Sequence, residues 1–275
     1  MRQKMISEEK KIVLLNLMPM KEEAADDIRR VLSYSSVPFE LCLMKLRSHV
    51  PRHASQEYMN RYYRFFDEMR DKRIDALIVN GAPVEILPFE DVDYWSELCE
   101  VFRWAHEHVG SSLFICWGAQ AALYHLYDIN KFRLPQKMFG VFKQKVLVHE
   151  HPVFNGFDSD FWMPHSRHTE IRREDIEANK HLQLLAEGED GSVSVVASKD
   201  GKALFVTGHL EYSATRLDWE YRRDCERRSD VGLPVNYYQD DNPRFNPRFI
   251  WKEDSIRFFT NWFDSCVKRT VDEKT

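Results

Sequence analysis

The chain has 275 residues, 43% hydrophobic and 13% aromatic, enough to bury one substantial core. A formal net charge of −5, with no run of Lys and Arg along one face, gives no reason to expect a nucleic-acid partner. No segment approaches the ~20 consecutive apolar residues that span a bilayer, so no membrane partner is expected either.

The first eleven residues are too polar for a secretory signal and read as a tail. Lys11 to Asn16 is an apolar run suited to a buried parallel strand, closed by Met18-Pro19. From Lys21 to Leu32, Ala24, Ala25, Ile28, Val31 and Leu32 fall at helical spacing. Phe39 to Met44 predicts a second strand, and Ser48 to His53 is irregular. Ser55 to Arg73 reads as one long helix whose aromatic stripe (Tyr58, Tyr62, Phe65, Phe66) faces the core. Ile74 to Val79 predicts a third strand, ending on Asn80-Gly81-Ala82-Pro83. A helix follows over Asp91–His108, and a fourth strand runs into Cys116. Strands alternating with helices imply an α/β, mostly parallel doubly wound sheet with helices on both faces and ligands outside the strand carboxyl ends. Beyond Gly140 the pieces are shorter and β-rich: Gly140–Val148, Gln183–Leu185, Val193–Ala197 and Ala203–Thr207. Cys225 to Pro247 is a polar, Pro/Asn-rich excursion, and Ser255 to Val267 is an amphipathic helix before a tail over 268–275. No linker or repeat divides residues 1–275, so a single domain is expected.

Two segments carry chemistry. In Ser112-Leu-Phe-Ile-Cys116-Trp117-Gly118-Ala-Gln120, a strand turns sharply into a helix at a cysteine. Such a turn lifts the thiol out of the sheet and points a helix N-terminus at it, favouring the thiolate that a nucleophile needs. In Ala203-Leu-Phe-Val-Thr-Gly-His209-Leu-Glu211, a second strand end delivers a histidine, and alternation places Glu211 on the same side to fix its tautomer. Taken alone, Cys116 reads as a core thiol and His209 as a structural histidine. Together with Glu211 they make a nucleophile, base and orienter. His149-Glu-His151 and His165-Ser-Arg-His168 lack structural-zinc spacing, and no metal is expected. Five cysteines (42, 99, 116, 225 and 266), with no C-x-x-C, suit a reduced cytoplasmic chain.

Between Ile12 and about Val267 the chain resembles the homoserine O-acyltransferases, also called homoserine transsuccinylases. The resemblance rests on Leu15-Asn-Leu-Met-Pro19, Asn80-Gly-Ala-Pro83, Cys116-Trp117, Leu134-Pro-x-Lys137, Gly156-Phe-Asp158, Pro164-His-Ser-Arg167, Val206-Thr-Gly-His-x-Glu-Tyr212, Glu220-Tyr-x-Arg-Asp224 and Asn261-Trp262. It implies a flavodoxin-like domain related to class I glutamine amidotransferases. The implied reaction is ping-pong acyl transfer from an acyl-CoA to an amino-acid hydroxyl through acyl-Cys116, in the service of methionine biosynthesis. In that scheme His209 is the base and Glu211 its orienter. Oxyanion donors are the backbone N–H groups of Trp117 and of the Gly81–Glu85 loop. Ser166 and Arg223 contact the acceptor, with Arg223 clamping its α-carboxylate, and Lys137 is a substrate-contacting cation near the active site; Arg222 has no such match and reads as a surface arginine. Glu85 takes the position that selects the donor, where glutamate goes with acetyl and glycine with succinyl, so acetyl-CoA is the implied co-substrate and no cofactor is bound. A cytoplasmic homodimer is the form the resemblance suggests.

The chain departs from that pattern in its short N-terminus, in Glu23-Ala24-Ala25-Asp26 where a Thr-Glu pair is usual, and in a loose fit over Ser48 to Tyr63. These departures leave L-serine open as the acceptor. Succinyl-CoA as donor, a glutamine amidohydrolase and a non-catalytic binding module are the other readings. The Pro-His-Ser-Arg and Glu-Tyr-x-Arg-Asp motifs count against the amidohydrolase, and the intact Cys116, His209 and Glu211 against the inert module.

Overall fold

The computed structural model describes residues 9–50, 54–227 and 229–272, with side chains as far as Ser265. Residues 1–8 of the expected N-terminal tail and 51–53 of the irregular segment lie outside the described residues.

Ten strands form one sheet: β1 (Lys10–Leu15), β2 (Phe39–Lys45), β3 (Tyr63–Phe65), β4 (Ala76–Val79), β5 (Ser111–Ile115), β6 (Lys131–Val146), β7 (Asp160–Ile171), β8 (Leu182–Gly188), β9 (Val193–Ser198) and β10 (Ala203–Val206). Their order is β3-β2-β1-β4-β5-β10-β9-β8-β6-β7. From β3 to β10 neighbouring strands are parallel, and β9, β8, β6 and β7 extend the sheet by antiparallel pairing. Successive residues of β1 enter opposite layers, Ile12 and Leu14 on one face and Val13 and Leu15 on the other. Helices α1 (Lys21–Leu32), α2 (Gln56–Tyr62) and α8 (Lys252–Asp272) cover the first face. The second face is covered by α3 (Phe66–Met69), α4 (Trp95–His108), α5 (Trp117–Tyr127) and α6 (Arg173–Ala178). The result is the doubly wound α/β arrangement expected, with the order of strand addition reversing between β1 and β4 and a crevice at their carboxyl ends.

Five local expectations need correction. The long helix over 55–73 is broken by β3. Tyr63 to Phe65 leaves the helix to pair with Leu43–Lys45, and the buried Tyr63 hydroxyl accepts a hydrogen bond from Asn16 Nδ2 at 2.8 Å. The aromatic stripe is therefore split, with Phe66 buried, Tyr62 exposed, and Phe65 lying beneath the cations of Lys45 and Arg47. Strand β7 carried no readable signal. Its buried face holds His165, Arg167 and Thr169 as well as Phe161, Met163 and Ile171, so apolar–polar alternation fails halfway along. β6 begins nine residues before Gly140, with a register break between Arg133 and Met138 where Pro135 has no N–H to donate. Finally, the excursion after Cys225 packs Tyr237 and Tyr238 with Trp251 against Phe139 and Val141, and Val235 bonds the backbone of both those β6 residues. The last helix also runs on through Asp272, into the expected C-terminal tail.

Candidate active site

Cys116 sits between β5 and α5 with φ 52° and ψ −119°, a left-handed conformation that is costly for a residue with a Cβ. The surroundings hold it there. Its N–H donates to Val206 O at 2.7 Å, and its carbonyl accepts from Ala119 and Gln120 at the start of α5. The sharp turn also needs Gly118. A Cβ at that position would stand 2.7 Å from Asn80 O and 2.8 Å from Val79 O, both backbone atoms that cannot yield. Gly118→Ala is therefore expected to cost about 2–3 kcal/mol, as overpacking does, and to push α5 away from β4. A fall in melting temperature together with activity checks this; unchanged values for both would refute it.

The thiol is more enclosed than an elbow position suggests, with Cys116 only 6% exposed. The reason is the Asn80-Gly81 loop, which closes over it. A Cβ on Gly81 would lie 3.3 Å from Cys116 Cβ, 3.7 Å from its Sγ and 3.6 Å from His209 Cε1. That loop is fixed by an amide network: Asn80 Oδ1 accepts from Leu17 N at 2.6 Å, and Asn80 Nδ2 donates to Asn16 Oδ1 at 2.9 Å. The Leu-Asn-Leu-Met-Pro and Asn-Gly-Ala-Pro motifs thus brace each other at the crevice between β1 and β4.

His209 and Glu211 follow β10. His209 Nδ1 lies 2.7 Å from Glu211 Oε1, and the imidazole is close enough to Cys116 for the charge of that residue to act on it. Burial opposes a charged imidazole here, but the negative charges of Cys116 and Glu211 outweigh it and hold the His209 pKa well above its ordinary value. Every carbonyl of this turn has a donor. Tyr212 N bonds His209 O, Ser255 Oγ bonds Leu210 O, Arg30 Nη2 bonds Glu211 O at 2.6 Å, and Trp251 Nε1 bonds Tyr212 O at 3.0 Å. Tyr212 also stacks on the His209 ring, centroids 4.0 Å apart at 17°, and its hydroxyl donates to Glu220 at 2.7 Å. Strand β7 joins the same centre through His209 N to Pro164 O at 2.8 Å.

The remaining sequence-designated residues are half-buried on β6, β7, α7 (Arg216–Arg227) and the Gly81 loop. Ser166 stands opposite Phe139 across β6 and β7. Lys137 Nζ lies 4.0 Å from the Phe139 ring centroid and 2.9 Å from Asp224 Oδ2. Arg223 reaches the other oxygen of Asp224 through Nε at 2.8 Å and Nη2 at 2.6 Å. Arg222 is exposed and pairs with Asp218, as a surface arginine should. Glu85 is not a lone charge: its Oε1 is 2.7 Å from His168 Nδ1.

A family model described as homoserine O-succinyltransferase matches residues 2–272. The chain is 47% identical over 257 residues to the homoserine O-acetyltransferase of Phocaeicola vulgatus, covering 94% of this chain and 84% of that one. It is 46% identical over the same length and shares to the homoserine O-acetyltransferase of Bacteroides fragilis. The chain belongs to the homoserine O-succinyltransferase family. Among solved structures, a glutamine amidotransferase from Thermotoga maritima superposes with a TM-score of 0.59 at 13% identity, covering 95% of this chain and 99% of that one. At that identity the likeness concerns the fold, and it agrees with the expected amidotransferase-like architecture.

Several residues of this family member's site escaped sequence reasoning. Tyr212 and Glu220 lie within quoted motifs, but nothing in their spacing announces a ring stacked on His209. Arg167 is buried on β7, donating Nη1 to Thr169 O at 2.8 Å, and its charge lies within electrostatic reach of Cys116. His165 beside it is fully buried. Burial, then Arg167 and His209, push its pKa well below the ordinary value, so it stays neutral. His168 and Asp224 are partners of designated residues, visible only once the chain is folded. Among the described residues no cluster of His, Cys, Asp or Glu is arranged to hold a metal ion, and no helix is long and apolar enough to cross a membrane.

Proposed function

We propose that the protein transfers an acetyl group from acetyl-CoA to the side-chain hydroxyl of L-homoserine by way of acetyl-Cys116, giving O-acetyl-L-homoserine. One observation carries this reading: a strained, enclosed thiol that shares the Gly81 loop with an imidazole whose Nδ1 is held 2.7 Å from a carboxylate. The relatives in Phocaeicola vulgatus and Bacteroides fragilis, both named homoserine O-acetyltransferase, support the substrates.

In the first half-reaction Cys116 Sγ attacks the thioester carbonyl. As the first residue of α5, Trp117 has an N–H without an intrahelical acceptor, and with the Gly81–Glu85 loop it faces the oxygen that becomes negative. Collapse breaks the bond to CoA, and the imidazolium proton of His209 passes to the departing thiolate. Thioester replaces thioester, so little driving force is lost. Acylation also removes the thiolate charge that helped hold the His209 pKa up, leaving a neutral imidazole with only Glu211 beside it. That base takes the proton of the homoserine hydroxyl as its oxygen attacks acetyl-Cys116. The ester leaves, and the thiolate–imidazolium pair is restored. Lys137, Ser166 and Arg223 receive the amino-acid end of the acceptor, and Arg223 supplies the fork that suits an α-carboxylate. Mass spectrometry after mixing with acetyl-CoA, without acceptor, should find one acetyl group on Cys116. Glutamine hydrolysis with no acyl-enzyme would replace this reading with the amidohydrolase, and a clear preference for serine over homoserine would reassign the pathway.

Donor choice rests on Glu85. A succinyl group brings a carboxylate that acetyl lacks, and two unit charges ~4 Å apart at an effective dielectric near 20 repel by about 4 kcal/mol. The hydrogen bond with His168 Nδ1 engages one Glu85 oxygen and reduces that figure, but it also keeps the side chain in place as bulk. Glu85→Gly should therefore lower the preference for acetyl-CoA over succinyl-CoA by about 10²-fold. Comparing kcat/KM for the two donors tests it, and an unchanged ratio would remove Glu85 from donor selection.

A further inference from the structure

Lys137 and Arg223, the two cations assigned to the acceptor, do not stand free: one carboxylate joins them. Asp224 gives Oδ2 to Lys137 Nζ at 2.9 Å and Oδ1 to the Nε and Nη2 of Arg223 at 2.8 and 2.6 Å. Each cation also lies over an aromatic ring, Lys137 over Phe139 at 4.0 Å and Arg223 over Trp219 at 5.0 Å. The bridge is tertiary. Lys137 belongs to the out-of-register part of β6, while Arg223 and Asp224 are on α7. It is also close to the chemistry, since Phe139 shares a buried cluster with Tyr212, which stacks on His209.

We infer that Asp224 is a positioning residue for the acceptor amino acid, holding Lys137 and Arg223 side by side so that the group keeps one positive charge, the complement of a single α-carboxylate. This inference rests on the reading of Lys137 and Arg223 as acceptor contacts. Without the bridge, two like charges at the end of long flexible stems repel each other, and solvent offers both an easy alternative. Neighbouring carboxylates do not replace Asp224: Asp218 is engaged by Arg222 and Tyr238, and Glu220 by Tyr212. Burial alone would raise the Asp224 pKa, but the hydrogen bonds and charges of Lys137 and Arg223 prevail and lower it, so the bridge is ionised at neutral pH.

The test uses the two half-reactions of the full-length protein. Asp224→Asn keeps the shape and removes the charge. It should raise the KM for homoserine roughly tenfold or more, the scale of a lost charge-assisted hydrogen bond. The burst of CoA released from acetyl-CoA without acceptor should stay within about twofold, as should the melting behaviour relative to wild type. Asp224→Glu should recover part of the loss. Lys137→Ala and Arg223→Ala serve as the reference, and both should raise the same KM. If they do and Asp224→Asn leaves it unchanged or lowers it, Asp224 is no positioning residue, and a lowered value would mean that the carboxylate competes with the substrate. If neither reference variant alters KM, the acceptor reading itself fails and this inference with it. Equal loss of the burst and of thermal stability in Asp224→Asn would reduce the residue to a structural role.

Discussion

Cys116→Ala should abolish turnover, lowering kcat by on the order of 10⁴-fold or more, as loss of a nucleophile does in a triad enzyme. The thiol is enclosed, so some packing is lost too, but only a single sulfur atom is removed and the cost should stay near 1 kcal/mol. The substitution even relieves nothing of the backbone strain, because alanine also carries a Cβ at φ 52°. Far-ultraviolet circular dichroism and a melting curve close to wild type, together with no acetyl group found on the protein, are the expected pair of results. Activity within tenfold of wild type would take Cys116 out of the mechanism. A large stability loss instead would return it to the role of a core thiol.

His209→Ala should be nearly as severe, and Glu211→Gln milder, on the order of 10² in kcat, because a thiolate–imidazolium pair depends less on its third member than a serine triad does. The pH dependence carries the sharper information. Two negative charges, Cys116 and Glu211, raise the His209 pKa well above its ordinary value against the opposing effect of burial. A raised folded-state pKa contributes stability that is fully present below the unfolded value, near 6.5, and is lost as pH rises through the folded value. The alkaline limb of kcat/KM for acetyl-CoA, where the imidazolium disappears, should follow the same ionisation. Removing the Glu211 charge leaves one raising influence instead of two, so in Glu211→Gln both the stability loss and that limb should move to lower pH. Superimposable profiles for wild type and Glu211→Gln would mean that another group holds the histidine.

The grouping of Cys116, His209 and Glu211 was legible because its signals are local. A strand ending on Cys116-Trp117-Gly118 forces an elbow, and a two-residue spacing on extended chain puts Glu211 beside His209; both follow from short-range stereochemistry. The parallel half of the sheet was legible for the same reason, since β1, β4 and β5 carry apolar runs buried on both faces and β2 joins them over Leu43 and Met44. The failures occurred where long-range pairing overrode local preference. Tyr63 to Phe65 continues a helical pattern yet forms an edge strand, because the end of β2 and the amide of Asn16 offer partners that a helix lacks. β7 hides its buried face behind His165, Arg167 and Thr169, polar residues whose burial is tolerable only with the partners the fold supplies.

The sequence by itself determined the doubly wound architecture, the elbow at Cys116 and the placing of Glu211 beside His209. Only the tertiary structure decided how charges combine. It paired Glu85 with His168, stacked Tyr212 on His209, and set Asp224 between Lys137 and Arg223. Such pairs join residues as far apart as 87 positions in the chain. No periodicity encodes them, because electrostatic and stacking contacts depend on distance in space, which is fixed only when β6, β7, α7 and the Gly81 loop converge on the carboxyl ends of the parallel strands.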